Sequence, residues 1–366
     1  MPFINMRNQA AYLSDHANEV WMGRKSNSRY GFKPEANKRR AVPKQSEFIF
    51  QFKITRIDWR RVTGLVTLVA FLAGIGSGYV LWGQGATDPG PQSSETAAAT
   101  NQDEHAEHIA LSEQVNPPEG YALPTEFGDV GPKLLEVGAI DRDAFVQLYQ
   151  QANRPLTEAQ LAILDRDSDS QIVLNRQNAY FLLNFFWALG LSNQNPILTE
   201  GPMMQGGEEQ IGRFASTGGW TLATRPLGEL YASIPIVPLT MVQQRRLEEV
   251  ASQVYRPCCN NPTHFPDCNH GMAMLGLLEL MASQGASKEE MVDAAKYANA
   301  FWYPNQYVEL AQYFQSAQDR NFAEIDGQEL VSRTYSSSSG FTAVHEWLAD
   351  NNLLPSTSGG GSGCGV

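Results

Sequence analysis

Between Val62 and Trp82 the chain reads VTGLVTLVAFLAGIGSGYVLW, 21 residues without a charge. No other stretch restricts the fold as strongly. A helix of about 20 apolar residues crosses a hydrocarbon core of about 30 Å. Arg60 and Arg61 stop the run on one side, and Trp59, Tyr79 and Trp82 fall where interfacial aromatics sit. The competing reading is a buried core helix. A run this long, rich in Gly and Val and flanked by Arg-Arg, argues against it. The expectation is a single membrane-crossing signal anchor over residues 62–83.

Charge supplies the orientation. Residues 1–61 hold 13 Lys/Arg and 5 Asp/Glu, a net of +8, while residues 62–366 hold 14 and 34, a net of −20. Positive charge stays on the cytoplasmic side. The sequence therefore predicts a plasma (inner) membrane protein with a basic, largely disordered cytoplasmic tail over 1–61 and an acidic extracytoplasmic part. A cleaved signal peptide fits less well, because the basic region is too long and the apolar run exceeds a typical h-region. No nucleic-acid motif accompanies the basic tail, so no nucleic-acid partner is expected. Gly74 and Gly78 stand at G-x-x-x-G spacing, a face through which two such helices can form a homodimer.

Residues 84–120 are small, polar and poor in aromatics, the composition of a flexible linker. His105 and His108 fall on it and read as solvated. From Tyr121 to Leu354 the chain has globular composition, enough for one domain with its own core. Helix signals dominate. Asp141 is placed as an N-cap, and Thr157 with Gln160 and Ser287 with Glu290 have capping-box spacing. Residues 178–189 and 271–282 are apolar nearly all round and predict central buried helices. The segments 239–254, 303–318 and 342–351 complete the helical set. Gln171–Leu174 and Ile234–Val237 are the only short strand candidates. The expected fold class is all-α, a transmembrane helix plus an extracytoplasmic α-helical domain over 121–354. A Gly-rich tail over 355–366 carries Cys364.

The chemistry is concentrated in Cys258-Cys259-Asn-Asn-Pro-Thr-His264-Phe-Pro-Asp267-Cys268-Asn-His270, which holds three of the four cysteines and two of the six histidines. Thiolate and imidazole bind zinc and copper ions, and thiols carry redox chemistry. Cys268 and His270 open a predicted helix, where free N–H groups and the macrodipole favour a thiolate. Four ligands drawn from Cys258, Cys259, His264, Cys268 and His270 suit tetrahedral Zn²⁺ or trigonal to tetrahedral Cu⁺. The spacing matches neither a zinc finger nor C-x-x-C. A disulfide from Cys258 or Cys259 to Cys268 is the structural alternative.

Three stretches, Phe214 to Trp220 (Phe-Ala-Ser-Thr-Gly-Gly-Trp), Cys258 to Met272, and Gly359 to Cys364, resemble those of uncharacterised single-pass bacterial membrane proteins. The resemblance implies a shared fold and no activity.

Other motifs carry less. Asp165, Asp167 and Asp169 stand at positions 1, 3 and 5 of a calcium loop, but Ser170 replaces the turn glycine and Arg176 the bidentate Glu, so the segment reads as a loop between helices. Gly201–Gly207 and Ser216–Trp220 are Gly-rich without a preceding strand, so neither reads as a phosphate loop. His345 lies alone on a helix. The function expected is a membrane-anchored extracytoplasmic protein that holds or passes on copper or zinc, with Cys364 as a mobile thiol. A thiol–disulfide oxidoreductase, with Cys268 attacking and Cys259 or Cys364 resolving, and a structural envelope protein with a disulfide-stapled loop are the alternatives.

Overall fold

The computed structural model describes residues 106–354. In chain order the larger elements are β1 (Tyr121–Gly128), α1 (Val130–Glu136), α2 (Arg142–Gln151), α3 (Glu158–Asp165), β2 (Ser168–Leu174), α4 (Ala179–Ser192), α5 (Met241–Ala251), α6 (Asn269–Ser283), α7 (Lys288–Trp302), α8 (Pro304–Gln318) and α9 (Ser338–Asp350). Single helical turns fill the stretch between α4 and α5.

Local chemistry explains most helix starts. Asp141 accepts from the amides of Asp143 and Ala144 at the head of α2. Thr157 with Gln160 and Ser287 with Glu290 form reciprocal capping boxes, satisfying amides that would otherwise lack partners. Thr240 with Gln243 does the same for α5.

The centre is α4 against α6. Thirteen of the fourteen residues of α4 are buried, and so are all but the last of α6. Their backbones meet through glycine. A Cβ on Gly190 would strike the carbonyl of Met272, and one on Gly276 the carbonyl of Phe186. Phe181, Phe185, Phe186 and Trp187 fill the surrounding core together with Leu275, Leu277 and Leu278. A second apolar cluster, built on Tyr307, Leu310, Phe314 and Leu348 of α8 and α9, stands beside it. The Cys/His loop lies between the two: Phe265 packs on the first cluster and Cys258 on the second.

Two expectations need correction. The fold is not all-α, because β1 pairs antiparallel with β2, Tyr121 facing Leu174 and Gly128 facing Ser168. Leu123, Thr125 and Phe127 of β1 point inward in strict alternation. Pro124 hides this pattern in the sequence, yet a two-stranded sheet tolerates a proline that has no ladder bond to donate. Second, among the described residues no helix is long and apolar enough to cross a membrane. The long apolar helices there have 14 and 15 residues, short of the roughly 20 a bilayer needs, and they bury their sides in the core. The run Val62–Trp82 lies outside the described residues, as do residues 1–61, Gly74, Gly78, His105 and Cys364.

Smaller differences follow tertiary contacts. Residues 106–115, read as linker, are helical, and Leu111 and Val115 are buried in the second cluster. The acidic segment at 165–169 is no free loop. Asp165 pairs with Arg142 at 2.6 Å, and residues from Ser168 onward belong to β2. His345 bonds Glu309 of α8 at 2.7 Å.

Candidate thiol and metal centre

The loop between α5 and α6 is held by its own backbone. The amide of His264 donates to Ala251 at the end of α5, and that of Thr263 to Val254. The amide of Ser338 donates to Cys259 and so ties the loop to the head of α9. At its far end Cys268 is the N-cap of α6, and its Sγ accepts from the amide of Gly271 at 3.3 Å. That is the position the sequence predicts for a thiolate-stabilising cysteine.

Arg256 organises the interior of the loop. Its side chain is only 1 % exposed. Nε donates to Cys268 Sγ at 3.0 Å, Nη1 to the Asn261 carbonyl at 2.9 Å, and Nη2 to the Phe265 carbonyl at 3.2 Å and Asp267 Oδ1 at 2.7 Å. Asn261 Nδ2 supplies the other Asp267 oxygen at 2.8 Å. A buried guanidinium is costly unless its fork of donors is used, and here the fork reads out most of the loop. Gly271 leaves the room, since a Cβ there would enter the guanidinium.

Around Arg256 the structure gathers Cys258, Cys259 and Cys268, all free thiols, with their Sγ atoms within 4.8 Å of one another. Cys258 and Cys268 stand 3.4 Å apart, beyond the roughly 2.05 Å of a disulfide bond. The Tyr303 hydroxyl donates to Cys258 at 2.9 Å. All three cysteines are partly buried.

The three sulfurs differ in proton affinity. Cys268 is held well below the usual thiol value, first by the Cys258 thiol that donates to it, then by Cys259, and further by the charge of Arg256 against the opposing effect of burial. Cys258 is pushed far up, because its proton serves its neighbours. Contact with Cys258 favours the Cys259 thiolate, but Cys268 and burial outweigh it and push Cys259 up to about 12. Of the three, Cys268 is the one whose thiolate the surroundings favour.

The histidines are placed differently from the sulfurs. His270 is buried, its Nδ1 lies 2.9 Å from Asn269 Oδ1, and its ring packs on Tyr303 with centroids 4.5 Å apart. Burial lowers its pKa to about 4, so the imidazole is neutral. Neither His270 nor His264 contributes a ring nitrogen to the three-sulfur group. Helix geometry explains His270: residues two apart do not share a face, so Cys268 and His270 diverge at the first turn. Sequence reasoning missed Arg256, Asp267 and Tyr303. The first two flank the cysteines, and an ionic pair bracketing a thiol cluster was a usable signal. Tyr303, 45 residues from Cys258, left none.

Comparison of the chain with protein-family models, with curated proteins and with solved structures finds no match.

Proposed function

We propose that this protein binds one thiophilic ion through Cys258, Cys259 and Cys268 and holds it or passes it on. The observation that carries this reading is the convergence of three sulfurs, one from the head of α6 and two from nine and ten residues upstream, within 4.8 Å. Soft thiolates select soft ions such as Cu⁺ and Zn²⁺. The surroundings of Cys268 favour its thiolate, its cap position orients it, and Arg256 holds it in place without offering a lone pair to the ion. His270 orients Tyr303, and His264 anchors the loop through its backbone. Binding an ion would expel the protons of Cys258 and Cys259.

The test is elemental analysis of the full chain purified reduced and without chelator. About one soft ion per chain is expected, lost in Cys268→Ser and retained in His264→Ala. Metal-free protein with Cys268 bonded to Cys258 and inert to glutathione would sink the reading in favour of a structural staple. A second reading, thiol–disulfide exchange, draws on the 3.4 Å separation of Cys258 and Cys268 and the activated Cys268. A reduction potential above about −300 mV in the ion-free protein would favour it.

A further inference from the structure

Among the His, Cys, Asp and Glu side chains of the described residues, the sulfur set has three members and no fourth. Among the described residues no imidazole nitrogen or carboxylate oxygen completes the group. The nearest polar groups point donors at the sulfurs: Arg256 Nε and the Gly271 amide at Cys268, and the Tyr303 hydroxyl at Cys258. A guanidinium and a peptide N–H have no lone pair to give an ion, and the Tyr303 hydroxyl is a neutral hard-oxygen group that soft thiophilic ions do not select. Asp267 lies 3.8 Å from Cys259, but its two oxygens are taken by Arg256 and Asn261. Zinc in a structural site asks for four protein ligands.

Charge points the same way. Three thiolates carry three negative charges, and the Arg256–Asp267 pair sums to zero. A monovalent ion leaves two charges unbalanced in a half-buried site and a divalent ion leaves one. A trivalent ion leaves none, and uncompensated charge away from water is costly.

We propose that the cluster takes a trivalent, three-coordinate thiophilic species of the arsenite class in preference to zinc or copper. This rests on the reading of the cluster as an ion site. The reaction is ligand exchange. Neutral As(OH)₃ meets the thiols of Cys258 and Cys259 and the thiolate of Cys268, three As–O bonds break and three As–S bonds form. Two hydroxides leave as water with the protons of Cys258 and Cys259, and the third leaves as water with a proton drawn from solvent. Arsenic stays trivalent and no electron is transferred.

The experiment titrates the reduced full chain with sodium arsenite, followed by near-ultraviolet sulfur-to-arsenic absorption and X-ray absorption sulfur counting, with Zn²⁺ and Cu⁺ as competitors. The expected result is one arsenic bound by three sulfurs and not displaced by equimolar Zn²⁺ or Cu⁺. Cys258→Ser, Cys259→Ser and Cys268→Ser should each weaken binding by about tenfold or more, while Cys364→Ser leaves it unchanged. Cys268→Ser keeps a good N-cap, so its circular dichroism should match the parent. Displacement of arsenic by equimolar Zn²⁺ with a nitrogen or oxygen ligand added to the sulfurs would overturn the arsenite class while keeping the ion site. Dependence on Cys364, or arsenic held by only two sulfurs, would also overturn it. Reduced protein that binds none of the three ions would remove the ion-site reading itself.

Discussion

Helix α6 buries polar chemistry at two places, and they are built on opposite principles. At its head, Cys268 sits among Arg256, Cys258, Cys259 and the amide of Gly271, so a negative charge there is met from several sides. Further along, Glu279 is completely buried with much thinner support. Its Oε1 accepts from Asn195 Nδ2 at 2.7 Å, and Oε2 makes no hydrogen bond. Burial raises its pKa well above the usual carboxylate value, and the amides of Asn193 and Asn195 only partly oppose that. Asn195 in turn accepts from the Ile197 amide and Gln244, so Glu279 pins the turn after α4 to α5 and α6. One end of the helix surrounds a thiol with groups that favour its anion. The other suppresses a charge in a sealed core and uses the group as a tie.

The comparison predicts a series of decreasing effects. The largest comes from Leu278→Asp, which places a second carboxyl beside Glu279 at a site 0 % exposed, without an asparagine partner. An unpaired buried charge is not tolerated, so no cooperative thermal transition should be seen. A folded variant would show that this part of α6 reaches water.

Arg256→Ala comes next. It strips Asp267, Cys268 and two loop carbonyls of their donors, at a cost of about 3–5 kcal/mol in denaturant unfolding. Arg256→Lys should rescue little, because an ammonium cannot supply the planar fork. Full rescue by Lys would reduce Arg256 to a point charge. Gly271→Ala should cost less, about 1–3 kcal/mol, as the new methyl overpacks the guanidinium.

Glu279→Gln tests the sealed tie through pH. The folded pKa of Glu279 is raised from 4.5. The stability it contributes is fully present below pH 4.5 and is lost as pH rises through the folded value. Melting curves between pH 4 and pH 8 should show this decline in the parent and not in Glu279→Gln, which should be the more stable protein at neutral pH. A less stable Gln variant at pH 7 would mean that the carboxylate is charged and wanted, making the two ends of α6 alike.

The smallest effect on stability belongs to Cys268→Ser. Serine caps helices well, so unfolding should shift by less than about 1 kcal/mol while ion binding is lost. A large loss of stability would turn the reactive end into a structural one.

These contrasts follow how the sequence can be read. Both α4 and α6 are legible because they are apolar on nearly every side, and the starts of α3 and α7 because a Thr or Ser stands three residues before a Gln or Glu. The strand β1 is not legible. Its inward row is Leu123, Thr125 and Phe127, broken for a reader by Pro124, and its paired residues lie 40 or more positions away. Residues 106–115 look like linker because only Leu111 and Val115 mark a buried face, and the second apolar cluster that covers them is built from residues far along the chain.

For the site, the sequence by itself determined the chemical type. Three cysteines and two histidines in thirteen residues announce soft-ligand or thiol chemistry whatever the fold, and a helix start at Cys268 favours its thiolate. Tertiary structure decided which groups meet. His270 is one residue past Asn269, yet helix rotation carries it away from the sulfurs and onto Tyr303. Arg256 reaches back across its own loop to Cys268, and Tyr303 reaches in from the junction of α7 and α8. Side-chain chemistry is local and readable in order along the chain. The geometry that gathers three sulfurs around a buried cation depends on how two apolar clusters pack against opposite sides of one loop, and that packing is set by contacts far apart in the sequence.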